Sequence, residues 1–155
     1  MKKAIQLIVI CVVSVLLSNK IHAQCGANNV NHWESVSTDN QPWKYIIPVA
    51  AIPNWEKVGF NDAAWTTGNS GIGYGDGDDN TTVPNNTQTV YMRRVFSIID
   101  TAAISAAIFC MDYDDGFVAY LNGVEIARVN MAANQTFSSY ASGNHEAQLY
   151  QGFQP

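Results

Sequence analysis

Positive charge is scarce in this sequence, and its scarcity limits the partners that the protein can bind. Lys and Arg together number 8 against 13 Asp and Glu. Lys2, Lys3 and Lys20 fall in or next to a leader-like run, and removing that segment leaves 5 basic and 13 acidic residues, a formal charge of −8. Such a chain is repelled by phosphate backbones and by anionic lipid surfaces. We therefore expect neither a nucleic-acid partner nor attachment to an anionic membrane.

Nucleophilic and metal-binding side chains are also few, and their spacing matches no catalytic motif. The 3 cysteines and 3 histidines show no C-x-x-C or H-x-x-x-H spacing of a zinc site. Neither a G-x-S-x-G elbow nor the Lys-Ser/Thr pair of a P-loop occurs. The chain is therefore predicted to hold no catalytic residue and to be no enzyme, and any activity would lie in a further domain.

The N-terminus has the three parts of a secretory signal peptide. Two lysines precede an apolar run from Ile5 to Leu17, and Ala23 supplies a small residue at the cleavage position. The run is shorter than the ~20 residues of a membrane span, so we expect cleavage after Ala23 and no stable membrane insertion. A lipoprotein is disfavoured because Gln24 stands directly before Cys25. The protein is predicted to be secreted or held at the cell surface.

Export brings the remaining cysteines into an oxidising compartment, where a disulfide can form. Cys11 leaves with the signal peptide, whereas Cys25 and Cys110 remain. Cys110 lies in an apolar run, which favours a buried free thiol. The sequence leaves pairing of Cys25 with Cys110 open, because it does not fix the distance between them.

Beyond the leader there is no helical period, and short β-branched and aromatic runs between turn residues predict an all-β fold. Tyr45–Val49 is a predicted strand, placed at a sheet edge because Pro48 lacks a backbone donor. Thr89–Ile99 is a second predicted strand. Ile104–Met111 is apolar on both faces, which favours a central strand.

Two long segments are predicted as loops. Asn54–Thr67 carries aromatic residues at irregular spacing, with a single helical turn expected at residues 61–64. Gly68–Asn86 is the longest segment punctuated by glycine and aspartate. A loop of this length in a compact domain is usually functional or ion-bound.

The clearest local pattern is a β-hairpin at Phe117–Val129. Asn122-Gly123 separates two alternating apolar runs. Asn-Gly is the preferred type I′ turn because both central residues must take positive φ. We therefore predict two antiparallel strands joined at these two residues.

Several segments together resemble galactose-binding-like jelly-roll domains of secreted bacterial multidomain proteins, which also carry spore-coat-H-like kinase or lamin-tail-like domains. The resemblance is carried by Trp55 and by the segments Gly59–Trp65, Gly71–Thr81, Val90–Phe96, Asp112–Arg128 and Asn144–Ala147. The resemblance implies an antiparallel β-sandwich with jelly-roll topology. It also implies further strands after the last segment, so we expect the jelly roll to be incomplete at the C-terminus and the chain to be a fragment.

The signal-peptide pattern and the extent of the resemblance, from Tyr45 onward, set the expected domain boundaries. A signal peptide at residues 1–23 is followed by a lead-in segment at residues 24–44 and by the jelly-roll domain at residues 45–155. Its partners are expected to be neighbouring domains of a larger parent chain and, for a module of this type, a glycan.

The glycine-rich segment contains a candidate calcium site. Its oxygen-bearing side chains sit on a flexible loop, which suits Ca²⁺. The alternative is a solvated turn in which these side chains only bond the backbone. The predicted structural Ca²⁺ ligands are Asp76, Asp78, Asp79 and Asn80.

Aromatic and acidic loop residues are the candidate ligand contacts, because sugars stack on exposed aromatic rings. The candidates are Tyr74, Tyr113, Asp114 and Asp115. Packing within the loops is the competing interpretation, and Trp55 and Trp65 are expected in the core. The function that fits is a non-catalytic accessory or carbohydrate-binding module. The alternatives are a spacer with a calcium-stabilised loop, and a fragment of a secreted hydrolase or kinase-like protein.

Overall fold

The computed structural model describes residues 12–13, 34–35, 37, 40–75, 77, 79–104 and 106–147. The chain divides into a larger unit, which includes Asp39–Arg94 and the chain from Met111, and a smaller unit of Ile10–Thr38 and Val95–Cys110. The cleavage point and most of the predicted signal peptide and lead-in segment lie outside the described residues. No helix in the described ranges is long and apolar enough to cross a membrane.

The described part of the chain is essentially all-β, as predicted. Its strand pairs are antiparallel apart from one short parallel pair. The strands in chain order are β1 Val12–Val13, β2 Glu34–Ser35, β3 Pro42–Ile46, β4 Thr66–Asn69, β5 Ile72–Gly73, β6 Thr81–Thr82, β7 Tyr91–Arg93, β8 Phe117–Leu121 and β9 Val124–Val129.

The smaller unit contains the antiparallel pair β1–β2 and a short 3-10 helix at Thr101–Ala103. The Asp100 carboxylate caps this helix by accepting the backbone N–H of Ala102 at 2.9 Å. The strand predicted at residues 104–111 is wrong, because the described residues there form none. Alanine is common in this run and is a poor strand former. Cys110, expected to be buried, is exposed, while Cys25 lies outside the described residues and the disulfide stays a prediction.

The larger unit is built on a three-stranded sheet in which β3 lies between β4 and β7, antiparallel to both. The prediction of an edge strand at residues 45–49 is therefore wrong in position and in bounds. Pro48 follows the end of β3, so its missing N–H removes no ladder hydrogen bond. Trp43 is the inward residue of β3, at 3% exposure.

Strand β7 is shorter than the predicted strand at residues 89–99. Tyr91, Met92 and Arg93 are all buried, whereas Val95 and Ile99 are exposed. Successive strand residues point to opposite faces, so the burial of Tyr91, Met92 and Arg93 means that both faces of β7 are covered. The ladder ends at Arg93, where the sequence pattern alone showed no stop.

The two predicted loops contain more order than expected. No helical turn forms at residues 61–64. Instead the Asn61 side chain accepts the Ala63 N–H at 3.1 Å, and the Trp65 N–H bonds the Asp62 carbonyl at 2.9 Å. These bonds make a tight turn, because Asn competes locally for backbone donors. Strand β4 then begins inside one predicted loop, and β5 and β6 interrupt the other.

The predicted hairpin is confirmed. Strands β8 and β9 pair antiparallel, with Phe117 opposite Val129 and Leu121 opposite Val124. Asn122 and Gly123 have φ of 53° and 81°, as a type I′ turn requires. The register shifts between Ala119 and Tyr120, which is a β-bulge.

An aromatic cluster around Trp55 packs the larger unit. The Trp55 ring stacks on Tyr91 with centroids 4.2 Å apart, and the rings of Trp65 and Tyr120 lie 6.4 Å and 5.9 Å away. The expected core placement of Trp55 and Trp65 is confirmed, since each is 7% exposed. The cluster joins the loop after β3 to β7 and to the hairpin.

Candidate functional site

Three of the predicted ligand residues form a corner directly before strand β8. Asp114 and Asp115 are 8% and 5% exposed, and Tyr113 is half-buried. Asp115 takes a left-handed conformation with φ of 57°, which aspartate tolerates better than most residues. Gly116 follows, and a Cβ there would come within 2.9 Å of the Val129 carbonyl oxygen. The chain therefore turns sharply against the end of β9.

Asp115 ties this corner to His145 by two reciprocal hydrogen bonds. Its backbone N–H donates to the His145 carbonyl at 2.7 Å, and its Oδ1 accepts the His145 N–H at 3.0 Å. The Asn130 side-chain amide donates to the Asp115 carbonyl at 2.7 Å. One aspartate thus fastens the start of β8 to the segment after β9 and to residues 141–147.

The Tyr113 ring is covered by its neighbours. His145 stacks on it with centroids 4.0 Å apart and planes 15° from parallel, and Phe117 meets it edge-on at 4.8 Å. His145 Nδ1 also lies 2.8 Å from the Tyr113 carbonyl oxygen. No catalytic or metal-binding spacing in the sequence pointed to His145. The only signal for it was the Asn144–Ala147 segment of the family resemblance.

The glycine-rich segment forms a loop whose two ends are hydrogen-bonded to each other. The Thr81 N–H bonds the Gly71 carbonyl at 2.9 Å, and the Val83 N–H bonds the Gly73 carbonyl at 2.8 Å. The Asn80 side-chain amide donates to the Ser70 carbonyl at 2.7 Å. These bonds hold the two ends of the loop in parallel register.

Two of the four predicted calcium ligands, Asp76 and Asp78, lie outside the described residues. Asp79 packs so closely on Gly73 that a Cβ there would overlap its carboxylate. Across the described ranges no group of three or more His, Cys, Asp or Glu side chains is placed to hold a metal. The calcium site stays a prediction. Tyr74, in the same loop, is buried at 9% exposure.

A groove that the sequence did not indicate lies elsewhere in the larger unit. It has a volume of about 330 Å³. One wall is the turn at Pro84–Thr89, the other is Phe137–Ser138, and Ile47 and Pro48 complete it. We call it the amide groove, since Asn85, Asn86 and Gln88 line it.

Both walls of the amide groove are braced by hydrogen bonds. The Pro84 carbonyl accepts the Thr87 backbone N–H at 3.1 Å and the Thr87 hydroxyl at 2.7 Å. Facing it, the Thr136 N–H donates to the Ser139 hydroxyl at 2.8 Å. The Gln88 side-chain amide donates to the Ser138 carbonyl at 2.5 Å and joins the two walls.

Comparison with known proteins adds no family to this geometry. No protein-family model, curated protein or solved structure matches the chain. The resemblance of Gly59–Trp65 and of the hairpin segment to jelly-roll domains therefore stays an expectation.

Proposed function

We propose that the chain is a non-catalytic accessory module of an exported multidomain protein, of the carbohydrate-binding type. In this proposal the antiparallel sheets belong to a galactose-binding-like jelly-roll sandwich. The module holds no reaction chemistry of its own and serves a catalytic or anchoring domain in the parent chain.

The proposal is supported by the way in which Asp114 and Asp115 are buried and hydrogen-bonded at the corner before β8. Glycoside hydrolysis needs two carboxyl groups about 5–10 Å apart on either side of the bond to be cleaved. Asp114 and Asp115 are both buried, and one Asp115 oxygen is bonded to the His145 N–H. A carboxylate engaged in this way holds loops together, which favours an architectural role over acid–base chemistry.

A structural spacer is the second candidate function, and the hydrogen bonds between the two ends of the glycine-rich loop favour it. Hydrogen bonds from Thr81, Val83 and Asn80 fix both ends of that loop. An ion bound by its acidic side chains would stiffen the loop without creating a ligand site. A spacer of this kind gains stability from calcium and binds no polysaccharide.

Affinity electrophoresis separates the two candidates. The exported chain is run through native gels that contain a neutral β-glucan, a galactomannan or polygalacturonate, and is assayed in parallel on aryl glycosides. We expect retardation by a neutral polysaccharide without turnover. No retardation in any gel, together with calcium-dependent stability, would favour the spacer. Turnover abolished by Asp114→Asn would overturn the non-catalytic proposal.

A further inference from the structure

We propose that the amide groove binds a short neutral saccharide, with Phe137 as the stacking surface and the carboxamides of Asn85 and Asn86 as the polar contacts. The inference rests on the proposed function and assigns its binding site to residues outside the loops that the sequence indicated.

The lining of the groove is neutral in a strongly acidic chain. The chain carries 13 acidic and 8 basic residues, yet none of either is among the described residues that line the groove. Amide and hydroxyl groups can donate and accept hydrogen bonds, which matches the hydroxyl groups of a sugar. The formal net charge of the chain is −5, which disfavours anionic glycans, so the groove favours an uncharged ligand.

The polar groups on the open side of the groove are available to a ligand. Asn85 and Asn86 are exposed, and neither carboxamide has a hydrogen-bond partner among the described residues. Asn86 holds a left-handed φ of 67°, which fixes where its side chain leaves the turn. Two unpaired carboxamides on consecutive residues can donate hydrogen bonds to sugar hydroxyl groups and accept them.

Phe137 supplies the apolar contact that sugar recognition also needs. It is half-buried, and among the described residues it is the one aromatic residue that lines the groove. Aromatic rings contact the apolar C–H face of a sugar ring while polar groups fix its orientation. Asn85 and Asn86 line the same groove as Phe137, so polar and apolar contacts are offered in one site.

The groove is pre-formed and small. Its walls are braced at Pro84 and Thr136 and joined by the bond from Gln88 to Ser138. A braced site loses little conformational entropy on binding. Its volume of about 330 Å³ is at the low end of ligand sites, which span roughly 300–1,000 Å³. A site of this size suits a short ligand.

Variants of the groove test the assignment in the full exported chain. We expect Phe137→Ala and Asn85→Ala each to weaken retardation by the neutral polysaccharide about tenfold or more, since each removes a direct contact. Asn86→Gly keeps the left-handed backbone and removes the amide, and should weaken binding as well. Urea unfolding of each variant shows whether it is folded.

Matched controls lie outside the groove. Tyr140→Ala removes an aromatic ring that is 65% exposed, and Asn134→Ala removes an exposed carboxamide. Both should bind as the parent does. Binding that survives all three groove variants overturns the groove and leaves the accessory-module proposal standing. A parent chain that binds no polysaccharide at all overturns both, whereas binding of polygalacturonate in place of the neutral polysaccharides overturns the neutral-ligand inference alone.

Discussion

Arg93 joins several parts of the larger unit through one buried guanidinium. Its Nε donates to Asp62 Oδ2 at 2.9 Å, and its Nη1 donates to the backbone carbonyls of Trp55 and Lys57. The same group stands 5.2 Å from the centre of the Phe60 ring. A buried cation is stable only when it is paired and hydrogen-bonded. Arg93 therefore fixes the course of the loop between β3 and β4.

Replacing Arg93 should destabilise the protein more than replacing its neighbour. Arg93→Met leaves the Asp62 carboxylate and the Trp55 carbonyl without their donor, and we expect a loss of about 2–4 kcal/mol in the free energy of unfolding. Arg94→Met is the control, because Arg94 makes one exposed bond to the Pro42 carbonyl. It should cost less than about 1 kcal/mol. Urea unfolding measures both, and equal losses would contradict the role of Arg93.

Asp115 offers a second test at the residue scale. Asp115→Ala removes the acceptor of the His145 N–H, and we expect a loss of about 1–3 kcal/mol. Asp115→Asn keeps a carbonyl oxygen and tolerates the left-handed backbone, so it should cost less than about 1 kcal/mol. Hydrogen exchange of the His145 amide should be faster in the alanine variant alone. A loss of polysaccharide binding in the asparagine variant, with stability kept, would place Asp115 in a ligand site.

Among the elements, the hairpin depends most directly on its two turn residues. Asn122 and Gly123 both have positive φ, so Asn122→Gly should change stability by less than about 0.5 kcal/mol, whereas Asn122→Val should cost about 1–2 kcal/mol through left-handed strain. Thermal unfolding of the two variants gives the comparison. Equal melting temperatures would show that strand packing, and not the turn conformation, determines the stability of the hairpin.

The glycine-rich loop is the element where an ion would act. If Ca²⁺ binds the folded but not the unfolded chain, it raises the free energy of unfolding by about 2.7 kcal/mol at a Ca²⁺ concentration one hundred times its dissociation constant. We expect a higher melting temperature in Ca²⁺ than in chelator, and no such gain in the double variant Asp76→Asn/Asp78→Asn. Glu146→Gln, an exposed acid outside the loop, should keep the gain. Equal gains in Mg²⁺ and Ca²⁺ would count against a dedicated calcium site.

At the scale of the whole molecule, the sequence predicted what local chemistry decides and missed what tertiary contacts decide. The turn at Asn122-Gly123 has one favoured conformation, so the hairpin could be placed. The central position of β3 depends on β4 and β7, which are distant in sequence, and Pro48 gave a misleading edge signal. Burial of Arg93 requires Asp62, and periodicity cannot show that partner.

The candidate sites show the same difference between what local sequence predicts and what only tertiary contacts decide. Runs of aspartate and tyrosine are visible in a sequence, so Tyr113, Asp114 and Asp115 could be chosen as candidates. Their engagement by His145 is a long-range contact with no local signal. The amide groove is invisible for the same reason, because Asn85 and Phe137 are ordinary loop residues until folding brings their turns together.

The aromatic cluster around Trp55 makes the stability of the whole molecule sensitive to alkaline pH. Burial raises the pKa of Tyr91 and of Tyr120 above the ordinary value of 10.0. The folded state therefore keeps phenol protons that the unfolded chain has released, so this stability is complete below pH 10 and is lost as pH rises through the raised pKa values. We expect the urea concentration at the unfolding midpoint to decrease as the pH is raised above 10. The decrease should be smaller in Tyr91→Phe and Tyr120→Phe, because phenylalanine carries no ionisable phenol. The urea midpoint of Tyr140→Phe should decrease as much as that of the parent, because the Tyr140 ring is 65% exposed. A fall of the same size in all three variants would mean that the buried phenols are not its source.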